Sequence, residues 1–311
     1  MYIINVLILL IVDKHFLKLY TLNMETEEID LMVAENQVSF DFDSLDKIEE
    51  EESTSLPETL IKSVNHDYIK DEVLFVVARV YNKDLVKDFP YLKICGKKMI
   101  DWVLMAGSEC EQKIIDDSEN IIEKVKTINT NKPIIAVFYS DTPLLDKITF
   151  NKIIDYFSSK GMNFLQLSRG FVAKTEYLKN MSELIQGTLS NSFDEKKLLQ
   201  VDSAKMINYV SNLLYNKIIN YHIRNGVIIY GQNTVFIDAD TEIESGVVIY
   251  PNNVIEGISI IEKGAVLYSG NIIKDSIIGS DSVINRSYIE KSKINKGVVV
   301  KPNSLIINQE V

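Results

Sequence analysis

The sequence contains few of the residues that build disulfides and metal sites. Its 311 residues include two cysteines, Cys95 and Cys110, and three histidines, His15, His66 and His222. Two isolated thiols do not make a disulfide framework, and no Cys/His cluster has the spacing of a zinc site. We therefore expect both thiols to be reduced and the protein to be cytoplasmic.

Positive charge is also scarce. The 33 lysines and arginines are outnumbered by 44 aspartates and glutamates, and the formal net charge is −11. Proteins that bind nucleic acid or anionic membranes carry basic patches, so the charge balance excludes both kinds of partner. A site for a small phosphate ligand is still compatible with this charge, because it needs only a few local cations.

The N-terminal stretch is too short to cross a membrane. Ile3–Val12 has about ten mostly apolar residues, whereas a spanning helix needs about twenty. The stretch also lacks the basic flank and the small-residue cleavage site of a signal peptide. Three interpretations stay open: translation that starts at Met24 rather than Met1, a short buried helix, and a targeting segment.

Residues 1–70 lack the pattern of a packed core beyond Val12. The part from Glu25 to Leu60 is strongly acidic and includes the run Glu49–Glu52. Like charges in such a run repel each other and bury nothing. We predict that residues 1–70 form a poorly ordered acidic extension, and an interaction tail is the alternative for its role.

Residues 71–201 alternate between strand-like and helix-like patterns. Two continuous apolar runs predict buried strands, and the segments between and after them have helical or extended patterns. The predicted elements are strands Val73–Ala78 and Ile134–Tyr139, helices Ile100–Met105, Asn120–Ile128 and Leu145–Phe157, and the extended segment Asn163–Lys174. This alternation indicates an α/β domain with a parallel sheet, in which ligands bind beyond the carboxyl ends of the strands.

Residues 227–311 repeat an aliphatic side chain every five or six positions. Neither a helix nor a plain strand has this period, but the stacked coils of a parallel β-helix do. Turn-forming residues between the aliphatics suit its corners. The alternative is an antiparallel domain of short strands. The repeating aliphatics are Ile237, Ile243, Ile249, Ile255, Ile261, Leu267, Ile273, Ile278, Ile284, Ile289, Ile294, Val300 and Ile306.

Several motifs occur in the order found in one known family. Phe236–Asp240, Val248–Pro251, Val254–Gly257 and Asp275–Gly279 resemble the coils of the bacterial bifunctional N-acetylglucosamine-1-phosphate uridylyltransferase / glucosamine-1-phosphate acetyltransferase family. The resemblance implies an α/β nucleotidyltransferase-like (Rossmann-like) domain, reduced in length, over 71–201. A connecting helix over 202–226 and a left-handed parallel β-helix over 227–311 would follow. It also implies a homotrimer, for which we expect Val247, Val248 and Ile258 to supply the contact.

The resemblance also implies a site for Mg²⁺, UTP and N-acetylglucosamine 1-phosphate. Ser140–Leu144 resembles the family's Gly-Asp-x-Pro-Leu signature, which makes Asp141 a metal ligand, and Asp202 stands where the family has a second one. Substrate binding would fall to Gly96, Lys97 and Gly170, whereas no catalytic residue is assigned. Two alternatives stay open: Asp141 as a turn residue and Asp202 as a helix cap.

The phosphate-binding loop of the family is not preserved. Val80 and Asn82 occupy its glycine places, Asp84 its arginine place and Tyr91 its lysine place. The segment that holds the base and sugar is missing, and the β-helix contains no histidine for acetyl transfer. We therefore expect a family member with a degraded site and no acetyltransferase activity. The alternative is a non-catalytic trimeric scaffold or regulator.

Overall fold

The computed structural model describes residues 67–82, 85, 88–117, 120–181 and 195–311. All of them belong to one of the chain's two compact units, Asn65–Val311. The acidic extension predicted over 1–70 lies almost wholly outside the described residues, as does the choice between Met1 and Met24 as the start. In the part of the chain that is described, no helix is long and apolar enough to span a membrane.

Within the described residues, the α/β domain has five short or medium helices and seven strands. Most of them fall on the segments that the sequence pattern predicts, because buried strands need continuous apolar runs. In chain order they are α1 Asp67–Glu72, β1 Val73–Arg79, β2 Lys93–Ile94, β3 Lys97–Lys98, α2 Met99–Ala106, β4 Glu111–Asp116, α3 Ile121–Lys126, β5 Ile134–Tyr139, α4 Lys147–Ser159, β6 Phe164–Leu167, β7 Gly170–Lys174 and α5 Thr175–Asn180.

The main sheet is mixed rather than parallel. Its strand order is β4-β1-β5-β7-β6, and β4, β1 and β5 run parallel. β7 is antiparallel to both β5 and β6. The expectation of an all-parallel sheet was wrong because the segment Asn163–Lys174 does not run straight through. It folds into a β6–β7 hairpin whose two-residue loop is Ser168–Arg169.

Both faces of the sheet are covered, as alternate residues of the central strands show. Phe75 and Val77 on β1 face one buried cluster, and Leu74 and Val76 face another. In the first cluster the ring of Phe75 lies 5.3 Å from that of Phe138 and 5.0 Å from that of Phe150 on α4. The packing therefore gives three layers, with the carboxyl ends of β4, β1 and β5 at one edge.

A long helix, α6 (Ala204–Arg224), follows a 3-10 turn at Glu195–Leu198 and leads into the C-terminal part. The side chain of Ser203 caps it by accepting a hydrogen bond from the amide of Met206 at 3.3 Å. The helix buries Val210, Leu214 and Ile219. Tyr215 on this helix contacts Phe236 of the first coil, with the ring centroids 5.2 Å apart.

The C-terminal part is a parallel β-helix of three sheets, which confirms the predicted fold class. Partner strands lie one coil apart, at 18 residues for Val248 and Val266 and at 16 for Ile272 and Tyr288. The strands are β8 Ile228–Ile229, β9 Phe236–Ile237, β10 Glu242–Ile243, β11 Val248–Ile249, β12 Val254–Glu256, β13 Ile260–Ile261, β14 Val266–Leu267, β15 Ile272–Lys274, β16 Ile277–Ile278, β17 Val283–Ile284, β18 Tyr288–Glu290, β19 Lys293–Ile294, β20 Val299–Val300 and β21 Leu305–Ile307.

The aliphatic residues of the repeat form the centre of the β-helix. Ile249, Ile261, Ile273 and Ile289 have no exposed surface. Because one side chain per strand enters this stack, neighbouring coils bury together what one coil could not bury alone. The five- or six-residue period of the sequence is therefore the period of the flat faces.

The outward face of the sheet β20-β17-β14-β11-β8 is apolar along its whole height. Its register aligns five β-branched aliphatic side chains, and three tyrosines stack beside them at 5.2 Å. We call this set the aliphatic column; it comprises Ile228, Val248, Val266, Val283 and Val299. The stacked tyrosines are Tyr230, Tyr250 and Tyr268.

Of the three residues expected to supply a trimer contact, one is placed differently. Val248 lies on the aliphatic column, and Ile258 is 74% exposed at a corner. Val247 has no exposed surface and packs into the centre of the β-helix. The expectation for Val247 was wrong, because its side chain points inward, whereas that of the next residue, Val248, points outward.

Candidate functional site

The carboxyl edge of the sheet gathers charged and aromatic side chains. It is formed where three parallel strands end, at Arg79 on β1, Asp116 on β4 and Tyr139 on β5. Asp141 follows β5 by two residues. This is the edge at which open α/β sheets bind ligands.

Asp141 is fully buried and paired with an arginine. The guanidinium of Arg169 donates two hydrogen bonds, from Nε to Oδ1 at 3.1 Å and from Nη2 to Oδ2 at 2.7 Å. Its carbon Cζ lies 3.9 Å from the centre of the Tyr139 ring. Asp141 itself is 0% exposed, and 23% of the Arg169 side chain is exposed. Both carboxylate oxygens of Asp141 are therefore occupied by one cation.

Opposing effects act on the ionisation of Asp141. Burial raises the pKa of its carboxyl group, and the hydrogen bonds from Arg169 and Gln200 counteract that rise. A buried carboxylate needs a close cation, since an unpaired charge away from water is strongly disfavoured. Here Arg169 supplies that cation.

Asp202, the second predicted metal ligand, is exposed. Its backbone carbonyl accepts a hydrogen bond from Asn82 Nδ2 at 3.2 Å. Asp202 is not the helix cap, because Ser203 takes that position. In the part of the chain that the structure covers, no three His, Cys, Asp or Glu residues are grouped as a metal site. With Asp141 occupied by Arg169, this arrangement does not fit Mg²⁺.

The end of β1 and the residues after it, at the place of the family's phosphate loop, make ion pairs and hydrogen bonds with neighbouring elements. Arg79 pairs with Asp116 at 2.7 Å and donates to the Tyr91 hydroxyl at 3.0 Å. The amide of Val80 donates to Ser140 Oγ at 2.9 Å. Asp84, at the arginine place, lies outside the described residues. Tyr91, at the lysine place, is thus a partner of Arg79.

Gly96 and Lys97, predicted to bind substrate, contact the β-helix. A β-carbon at Gly96, whose φ is +79°, would lie 2.4 Å from Asp238 Cγ. Lys97 Nζ pairs with Asp240 at 2.5 Å, and the amide of Ala239 donates to the Cys95 carbonyl at 3.0 Å. The turn between β2 and β3 is therefore anchored to the first coil.

The thiol within this anchored turn is inert. Cys95 is buried, and burial together with the charge of Asp238 raises its pKa to about 12. The thiolate is the reactive form of cysteine, so a pKa this high keeps the group protonated at neutral pH. We assign Cys95 a packing role.

Gly170 is required by the packing of strands. Its φ is +124°, and a β-carbon there would lie 2.3 Å from the carbonyl oxygen of Val137. This close approach of β7 to β5 places the preceding residue, Arg169, over Tyr139. Sequence reasoning did not find Arg169, because its partner lies 28 residues away and no local pattern links the two.

Curated relatives match part of this chain. A bifunctional protein GlmU of Clostridium acetobutylicum is 35% identical over 120 residues, which cover 39% of this chain and 26% of that protein. The one of Clostridium beijerinckii is 31% identical over 198 residues, or 62% of this chain and 40% of that protein. The chain thus spans about a quarter to two fifths of these relatives' length. These matches confirm the resemblance that the motifs indicate.

Comparisons with family models and with solved structures do not identify a family or a fold for this chain. No family model matches the chain. A solved CMP:2-keto-3-deoxy-manno-octonic acid synthetase complexed with CTP covers 47% of this chain and 98% of its own. Its sequence identity is 13% and its TM-score 0.34, values that do not establish a shared fold.

Proposed function

We propose that this chain, a diverged relative of the bifunctional GlmU proteins, keeps the architecture of a sugar-1-phosphate nucleotidyltransferase without its nucleotidyl transfer. Its role would be that of a homotrimeric scaffold or regulator. One observation carries this proposal: both arginines at the carboxyl edge, Arg79 and Arg169, are bound to carboxylates of that same edge.

Nucleotidyl transfer depends on cations that are placed before the reaction to meet the charge on the phosphates. At this edge the guanidinium of Arg79 is neutralised by Asp116, and that of Arg169 by Asp141. A triphosphate would have to compete with these carboxylates for each arginine. Each lost phosphate contact would cost about 3 kcal/mol at the transition state, so two such losses remove several decades of rate.

The trimer is supported by the aliphatic column of the β-helix. Its two end residues, Ile228 and Val299, are 49% and 67% exposed. Beside the column, Tyr230 is 51% exposed and Tyr268 is 44% exposed. An apolar strip of this kind is typical of a surface that binds another protein chain. Three copies around one axis would cover it with closed symmetry.

An active enzyme is the competing proposal. The relation to GlmU proteins and the position of Asp141 just beyond β5 favour it. In that case Arg169 would leave Asp141, and Mg²⁺ with UTP and N-acetylglucosamine 1-phosphate would take its place. The two proposals differ in whether the edge binds nucleotide at all.

Calorimetric titration of the full chain with UTP and Mg²⁺ separates them. We expect no saturable binding, while the GlmU protein of Clostridium beijerinckii serves as the positive control. Saturable binding that is lost in Asp141→Ala and kept in Glu109→Ala, an exposed acidic residue paired with Lys147, would refute our proposal.

A further inference from the structure

We infer that Arg169 is a permanent replacement for the divalent cation that the motif around Asp141 implies. Its guanidinium neutralises Asp141 in the folded protein, so the α/β domain is complete without metal. This goes beyond the proposed function, because it concerns what stabilises the carboxyl edge. It would hold even if the chain had a different role.

The contacts of Arg169 are those of a built-in counter-ion. It reaches both oxygens of a carboxylate that has no exposed surface, at 3.1 and 2.7 Å. Paired N–H donors in a planar fork match a carboxylate in a way that a lysine cannot. The centre of the Tyr139 ring lies 3.9 Å from Cζ, which gives the guanidinium a second favourable contact.

The backbone of the β6–β7 hairpin fixes the position of Arg169 without any ligand. The residue sits in the two-residue loop of the β6–β7 hairpin, whose pairing ends at Leu167 and Gly170. Gln166 Nε2 donates to the Gly170 carbonyl at 2.9 Å, which braces the end of that loop. The Asp141 carbonyl accepts from the amide of Val201 at 2.8 Å, which fixes the other partner. Both members of the pair are therefore held by backbone contacts of their own.

A divalent cation could bind Asp141 only if it displaced the guanidinium of Arg169. An arginine side chain offers a fixed cation with five N–H donors. Removal of one partner of a buried pair leaves an uncompensated charge, which is strongly destabilising. The ion pair thus neutralises Asp141 as a bound metal would, and its cation is part of the chain.

The first test compares metal dependence in the wild-type chain. We expect the same Tm in EDTA, in millimolar Mg²⁺ and in millimolar Mn²⁺, and no Asp141-dependent Mn²⁺ binding by electron paramagnetic resonance. A Tm that rises with Mg²⁺ in the wild type but not in Asp141→Asn would overturn the inference.

The second test removes the guanidinium. Arg169→Met should lower the Tm by roughly 5 °C or more. The double variant Asp141→Asn/Arg169→Met should regain part of this loss, since it leaves no buried charge. Lys147→Met is the matched control, because its pair with Glu109 is about half exposed on both sides. Its Tm should stay within about 1 °C of the wild type.

A third variant keeps the test decisive if Arg169→Met does not fold. Arg169→Lys retains the charge but loses the two-pronged contact and the stacking on Tyr139, so its Tm should lie below that of the wild type. If Arg169→Lys and Arg169→Met both melt as the wild type does, or if the double variant is no more stable than Arg169→Met, the inference is wrong.

Discussion

The backbone of Gly96 lies directly against the carboxylate of Asp238, with no room for a β-carbon between them. The contact joins the β2–β3 turn of the α/β domain to the first coil of the β-helix. Asp238 also accepts a hydrogen bond from the amide of Gly257 at 2.9 Å, so the carboxylate is fixed from the next coil. The two parts of the described unit are therefore joined by tight packing as well as by α6.

Gly96→Ala should destabilise the protein more than an alanine at another glycine of positive φ. Gly161, with φ +60°, is the matched control, because a β-carbon there meets no atom of the described chain within 4 Å. We expect Gly161→Ala to cost about 1 kcal/mol in unfolding free energy from backbone strain, and Gly96→Ala roughly twice as much or more. Urea unfolding of both variants measures this. Equal losses would show that the contact with Asp238 yields without cost.

Val266→Glu should dissociate the proposed trimer. The residue lies in the middle of the aliphatic column, and a buried carboxylate without a partner opposes association. Ile277→Glu is the control, since Ile277 points outward at a similar height from another sheet. Light scattering should give the trimer mass for the wild type and for Ile277→Glu, and a lower mass for Val266→Glu. A monomeric wild type at micromolar concentration would refute the trimer.

Asp146 should contribute stability that depends on pH. Burial alone would raise the pKa of this carboxyl group, but the Thr149 amide and Lys197 together lower it to about 2. Because the folded pKa is below the ordinary value of 3.8, the contribution is present above about pH 4 and is lost as the pH falls towards 2.

Asp146→Asn isolates the charge, because asparagine can still cap α4. We expect this variant to be about 1–2 kcal/mol less stable than the wild type near neutral pH. The difference should shrink as the pH is lowered to about 3. Urea unfolding at several pH values gives the comparison, and a constant difference would contradict the assignment.

The β-helix could be predicted from the sequence because its signal is local and repeated. Residues such as Ile249 and Ile261 recur at the interval of the flat faces, and each interval fixes a strand. The strands β1 and β5 were found for a similar reason, since a strand covered on both faces must be apolar throughout. β4 was not predicted, because this edge strand, Glu111–Asp116, is largely exposed and has no such pattern.

The candidate site could be predicted only in part. The motif around Asp141 gave its position at the end of β5, but its partner depends on a hairpin that brings Arg169 back across the sheet. Likewise Gly96 and Lys97 matched a family segment, whereas their contacts are with the first coil. Such long-range pairs leave no trace in local spacing, and their assignment needs coordinates.

Pyrophosphate release tests the central claim, that the carboxyl edge no longer supports nucleotidyl transfer. The full chain is incubated with Mg²⁺, each of several nucleoside triphosphates and each of several sugar 1-phosphates, with Asp141→Ala run beside it. We predict no release above the background of the Asp141→Ala variant for any pair. Sustained release by the wild type that is abolished in Asp141→Ala would show that Arg169 gives way to metal and that the chain is an enzyme.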